Sequence, residues 1–145
     1  MTTIACDGKT ISGDGLITGN GAIHDDQCQK VFHLRDGSVV GMSGEPFFHQ
    51  SALNFLNGDA GELDLGTNFE ALILKPDGKL FCMDGMGRTY PQSIPSATGS
   101  GFQFALAVMK MGRTAKEAVE LAEQLDPSTG GAITTLSPQQ APSYD

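Results

Sequence analysis

Positive charge is scarce in this chain. Nine Lys and Arg stand against seventeen Asp and Glu, for a net charge of −8. Proteins that hold nucleic acid through its phosphates carry the opposite balance, so nucleic acid is not expected as a partner, and anionic membrane surfaces are disfavoured for the same reason. Long apolar runs are missing too: nothing approaches the roughly 20 residues of a bilayer-spanning helix. The start, Met1-Thr2-Thr3-Ile4-Ala5-Cys6-Asp7, lacks the basic stretch and apolar core of a secretory signal, so a cytoplasmic setting is expected. Cysteine is sparse. Cys6, Cys28 and Cys82 cannot all pair within one chain and form no Cys-x-x-Cys unit, which fits free thiols in a reducing compartment.

Hydrophobic residues make up 39% of the 145 positions, enough for one packed domain over 1–145 and too many for a disordered chain. Glycine is abundant, at 19 residues without a period, which points to many tight turns between strands. Asp7-Gly8 joins residues 3–6 to 9–12. Asp36-Gly37 joins 30–34 to 38–43, and Asp77-Gly78 joins 69–74 to 79–83. Each Asp-Gly pair accepts positive φ at both turn positions, so three hairpins are expected.

Helices fall between and after them. Residues 46–57 open on Pro46 and stop at Asn57-Gly58. Residues 102–111 are apolar over most of their circumference, which predicts burial on nearly all sides. Thr114 and Glu117 have capping-box spacing ahead of the stripe Ala115, Ala118, Val119, Ala122 and Leu125, and Asp126-Pro127 ends that helix. Residues 132–136 read as a last strand and 137–145 as a frayed tail. Hairpins with segregated helices argue an α+β chain with helices packed outside sheets.

Several residues invite a chemical reading. Removal of Met1 would leave Thr2 with a hydroxyl and a free α-amine. The amine, with a reference pKa of about 7.7 to 8.0, can act as base for its own hydroxyl. Asp14 in Ser12-Gly13-Asp14-Gly15 reads equally as a turn aspartate, Lys30 as a strand-edge lysine, and Ser100 as a helix cap. Gly44 sits where a strand passes into a helix, a place where backbone N–H groups can hold an oxyanion. Gly41-Met42-Ser43-Gly44 is one glycine short of a nucleophile elbow. His24, Asp25, Asp26 and Cys28 fit no familiar metal spacing and read as a solvated acidic loop. Cys6 has nothing nearby to activate it.

The order of these features is more specific than any one of them. A Thr-Thr-Ile start, Gly-Asp-Gly after the first hairpin, Lys30-Val31 opening the next strand, Gly-x-x-Gly at its partner's end and Gly-Ser-Gly before a helix resemble the proteasome β-subunit family. The likeness is strongest to bacterial proteasome-related peptidases that partner an ATP-driven unfoldase. It covers 2–14, 29–44 and 97–125, and more weakly 130–136.

The resemblance implies an N-terminal-nucleophile (Ntn) hydrolase with a four-layer αββα sandwich. It implies Thr2 as nucleophile and base, Lys30 beside it, and Asp14 orienting Lys30. Gly44 N–H would be the oxyanion donor, and Ser100 a partner of the amine or of a bridging water. No metal or cofactor is implied. The substrate would be a peptide or unfolded protein, cleaved through an acyl-enzyme inside a homo-oligomeric ring. The chain departs from the family in a short first hairpin and in 57–68, a loop where the family has a second helix. The helix layer is therefore expected to be shortened, and stacking of two rings is not implied. The family's late aspartate before the last strand has no clear counterpart; Asp126 is the nearest acid, and the role is not carried over to it. Two alternatives remain open: a catalytically inactive scaffold, and an Ntn amidohydrolase acting on a small amide.

Overall fold

The computed structural model describes residues 2–140. Its strands are β1 (Thr3–Cys6), β2 (Ile11–Gly13), β3 (Ile17–Gly19), β4 (Ala22–Asp25), β5 (Val31–His33), β6 (Val39–Ser43), β7 (Glu70–Leu74), β8 (Leu80–Asp84), β9 (Thr89–Pro91), β10 (Ser96–Gly99) and β11 (Thr134–Leu136). Its helices are α1 (His49–Leu56), which follows the 3-10 turn Pro46–Phe48, then α2 (Phe102–Lys110) and α3 (Ala115–Leu125). All pairing is antiparallel. The first sheet runs β10-β1-β2-β11, the second β5-β6-β7-β8-β9, and β3-β4 form a hairpin sheet of their own.

Side-chain alternation sorts the core into three clusters. On β7, Leu72 and Leu74 face the first sheet, where they meet Ile4, Cys6 and Ile11; Ala71 and Ile73 face the other way, with Met42, Ala52 and Phe69. Ala5 on β1 packs instead beneath α2 and α3, with Ala105, Ala118 and Val119. One strand thus feeds two clusters because successive residues point to opposite faces.

The expected four-layer αββα sandwich is not what forms. The described residues make three antiparallel sheets, mostly strand, with three short helices. The outer face of the five-stranded sheet carries no helix layer. It is covered by the eight-residue α1, the 3-10 turn, and a loop that contributes Leu63 and Leu65. That loop contains Gly58, Gly61 and Gly66, which oppose helix formation by about 1 kcal/mol each.

Further elements differ from the sequence reading. The β3–β4 hairpin turns at Asn20-Gly21, both with positive φ, and β9 and β10 lie in the stretch before α2. Helix α2 buries only Ala105 and Met109, and leaves Phe102 and Phe104 exposed because the sheet and α3 cover just two of its sides. The capping box is present: Thr114 Oγ1 accepts from Glu117 N, and Glu117 Oε1 from Thr114 N. Of the tail expected to fray, 141–145 lie outside the described residues, while the Ser137 carbonyl meets His33 and Gln139 N–H donates to Gly37 O. No helix among the described residues is long and apolar enough to cross a membrane.

The two large sheets lie close together at Gly41 of β6. A Cβ there would lie 2.5 Å from Ile4 Cγ2 and 2.8 Å from Ile11 Cγ2. Gly41→Ala is expected to cost about 1–3 kcal/mol by overpacking, whereas Gly61→Ala, with open space around it, is expected to stay within about 0.5 kcal/mol. Chemical denaturation of both variants measures the contrast.

Candidate active site

Thr2 immediately precedes β1 and is almost fully buried. Its Oγ1 accepts a hydrogen bond of 3.0 Å from Lys30 Nζ. Lys30 stands just before β5 and reaches across from the second sheet, so the nucleophile candidate and its cation come from facing sheets. The same ammonium donates to Asp14 Oδ1 at 3.0 Å and to the Leu16 carbonyl at 2.7 Å. A donor fixed on the hydroxyl favours negative charge developing on that oxygen.

Asp14 follows β2 and is buried. Its carboxylate also accepts from Thr3 N–H (3.1 Å), Gly130 N–H (3.1 Å) and Leu16 N–H (3.4 Å). A buried carboxylate is tolerated when a cation and several donors surround it, and Asp14 has both.

Gly44 follows β6 with φ +118, a conformation that side chains rarely adopt. Its N–H meets no acceptor among the described residues. Ser100 Oγ donates to Asp126 Oδ2 at 2.6 Å and lies 3.4 Å from the Thr2 carbonyl. Thr2, Lys30, Gly44 and Ser100 line one cavity of about 420 Å³, together with Leu16, Ile17, Thr18, Ser43, Glu45, Pro46, Asn68 and Gly99. Asp14 lies behind it, bonded to Lys30. All five residues singled out in the sequence therefore meet at one place.

Sequence reasoning left Asp126 and Thr129 without a role. Asp126 accepts from Ser100, from Thr129 Oγ1 at 2.5 Å and from Ser128 N–H. Thr129 Oγ1 lies 2.7 Å from Thr3 Oγ1. Burial pushes the Asp126 carboxyl up, but the bonds from Ser100, Thr129 and Ser128 together hold it below the ordinary carboxylate range. In the sequence, Asp126 stood before a proline, which reads as a helix stop, and was the nearest acid to the family's late aspartate, without a role carried over to it.

The competing candidates are poorly equipped. Burial pushes the Cys6 thiol up to about 11, so it is protonated and unreactive. Ser43 lines the cavity but has no histidine or carboxylate bonded to its hydroxyl among the described residues. No three His, Cys, Asp or Glu side chains converge as metal ligands among them either. His49, on α1, is buried, with its ring edge-on to Phe32 and its Nε2 without a hydrogen-bond partner. Burial, reinforced by the charge of Lys30, pulls its pKa down to about 4 against a backbone hydrogen bond with Gln29.

No family model and no curated protein matches the chain. Solved structures do. The structure of Thiobacillus denitrificans BPH matches with a TM-score of 0.73 and 18% identity, over 98% of this chain and 99% of that one. Thiobacillus denitrificans BPH in complex with epoxomicin matches with a TM-score of 0.73 and 16% identity, over 97% and 99%. At these identities the likeness shows a common fold.

Two outcomes follow from the geometry. Asp14→Ala leaves Lys30 buried without its carboxylate and is expected to cost about 3–5 kcal/mol in denaturant titrations. His49 is neutral when folded, so between its ordinary value of 6.5 and about 4 the unfolded chain binds the extra proton and stability falls as the pH drops. That loss amounts to about 3 kcal/mol at most. His49→Phe is expected to lack it when stability is compared at pH 7 and pH 4.5.

Proposed function

We propose that the chain is a threonine-type endopeptidase acting through Thr2 once Met1 has been removed. The observation that carries this reading is the hydrogen-bonded series Thr2 Oγ1–Lys30 Nζ–Asp14 Oδ1, two links of 3.0 Å on the wall of an open cavity. The freed Thr2 amine takes the hydroxyl proton, and Oγ1 attacks the scissile carbonyl while Lys30 stabilises the developing charge. The tetrahedral oxyanion lies against Gly44 N–H. Collapse breaks the C–N bond, the protonated Thr2 amine returns its proton to the leaving amine, and water then hydrolyses the ester. Ser100, backed by Asp126, steadies the Thr2 main chain.

Two further points support the reading. The order of motifs resembles the proteasome β-subunit family, and the similarly folded Thiobacillus denitrificans BPH binds epoxomicin, a proteasome inhibitor. On the same reading the chain works in the cytoplasm as a homo-oligomeric ring fed by an ATP-driven unfoldase. The exposed Phe102, Phe104 and Met111 are apolar surface that a neighbouring copy would cover.

Steady-state hydrolysis of fluorogenic peptides tests the proposal. Thr2→Ala is expected to abolish turnover with the circular dichroism spectrum unchanged, and Thr2→Ser to retain part of it. Lys30→Ala is expected to lower kcat/KM by about 100-fold or more. Wild-type rates in Thr2→Ala would show that another group does the chemistry. Turnover of small amides but not peptides would move the assignment to an amidohydrolase.

A further inference from the structure

The cavity around Thr2 presents one carboxylate that the fold does not use. Glu45 follows Gly44 and occupies the N-cap position of the 3-10 turn Pro46–Phe48, yet its side chain makes no capping hydrogen bond. Short side chains cap best, so helix stability does not explain a glutamate there. Glu45 is exposed, lines the cavity, and forms no ion pair among the described residues. The other charged lining residue is Lys30, whose ammonium lies 3.0 Å from the buried Asp14 carboxylate. The positive charge is therefore offset from behind, and the charge offered to an incoming ligand is that of Glu45. The lining residues contributed by the β2–β3 stretch, Leu16, Ile17 and Thr18, carry none. Asn68 adds an exposed neutral amide from the loop beside Gly44, whose Cβ, if present, would lie 3.3 Å from the Asn68 carbonyl.

We propose that Glu45 is a specificity-determining residue, which selects peptides with a lysine or arginine side chain close to the scissile bond. The inference rests on the peptidase reading above and adds the class of substrate to it. Glu45 is solvated, so its attraction is modest and salt-sensitive, of the size of a surface ion pair, and corresponds to about a three- to fivefold preference.

The test uses tetrapeptide amides with a fluorogenic leaving group, in which Lys, Gln or Glu occupies each of the four positions in turn. At one position the wild type is expected to favour Lys over Gln by about three- to fivefold in kcat/KM at low salt, and Glu is expected to be worst there. Glu45→Gln should remove that preference and Glu45→Lys should reverse it. Glu120→Gln, on α3 and outside the cavity lining, deletes the same charge and should leave the preference in place, which separates local contact from attraction by the net charge. An unchanged preference in Glu45→Gln, or an equal loss in Glu120→Gln, overturns the assignment to Glu45 while the peptidase stands. Absence of turnover with every peptide overturns the peptidase reading and this one with it.

Discussion

The buried Asp14–Lys30 contact is the constraint around which the rest of the molecule is arranged. A carboxylate and an ammonium removed from water cost several kcal/mol each, and the cost is offset only when every remaining lone pair and proton finds a partner. Here the partners come from elements far apart in sequence: Thr3 at the head of β1, Leu16 after β2, and Gly130 before β11 for the acid; Thr2 and the Leu16 carbonyl for the base. Satisfying the pair therefore requires the first sheet, the start of the second sheet and the β2–β3 connection to come together. The Thr2 hydroxyl receives its geometry as a consequence of that electrostatic demand.

A second network grips the same backbone. Thr3 Oγ1 meets Thr129, Thr129 and Ser100 both donate to Asp126, and Ser100 returns to the Thr2 carbonyl. Because Thr2 and Thr3 are covalently joined, the circuit closes on itself. Residues 2 and 3 are held by Lys30 and Asp14, and also by the Ser100 and Thr129 hydroxyls that both donate to Asp126. Such fixation favours a reactive group, since a shift of about 1 Å in a nucleophile can cost a hundredfold in rate. Glycine does the rest: Gly41 lets the sheets close over Ile4 and Ile11, and Gly99 passes so near the Thr2 carbonyl that no side chain would fit.

What the sequence revealed follows from the range of the forces involved. The hairpins built on Asp7-Gly8, Asp36-Gly37 and Asp77-Gly78, and the capping box at Thr114 and Glu117, depend on residues within a few positions of one another and were legible. Asn20-Gly21 carried a signal just as strong and went unread. The pairing of β10 with β1 joins residues ninety or more positions apart, as in Thr3 with Gly99, and has no local signature. The missing helix layer was half legible: the glycine-rich loop after α1 announced that a second helix was absent, but not that loop side chains would cover the sheet in its place. Helix α2 misled because an apolar circumference reports composition, whereas burial depends on which neighbours arrive. Thr2, Asp14, Lys30, Gly44 and Ser100 were singled out together only through the resemblance that their order along the chain carries. Asp126 was named as the nearest acid but given no role, because its bonds to Ser100 and Thr129 exist only once the loop after α3 has folded back. Glu45 could not be singled out until the cavity wall was known.

The proposed chemistry requires residue 2 to become a free and activated N-terminal threonine held by Lys30. Intact-mass spectrometry of the purified protein before and after treatment with a peptide epoxyketone addresses this directly. A mass lacking Met1 and a single covalent adduct that is absent in Thr2→Ala are expected. A retained Met1 with no adduct would contradict that chemistry, and would leave a folded chain whose buried ion pair serves structure alone.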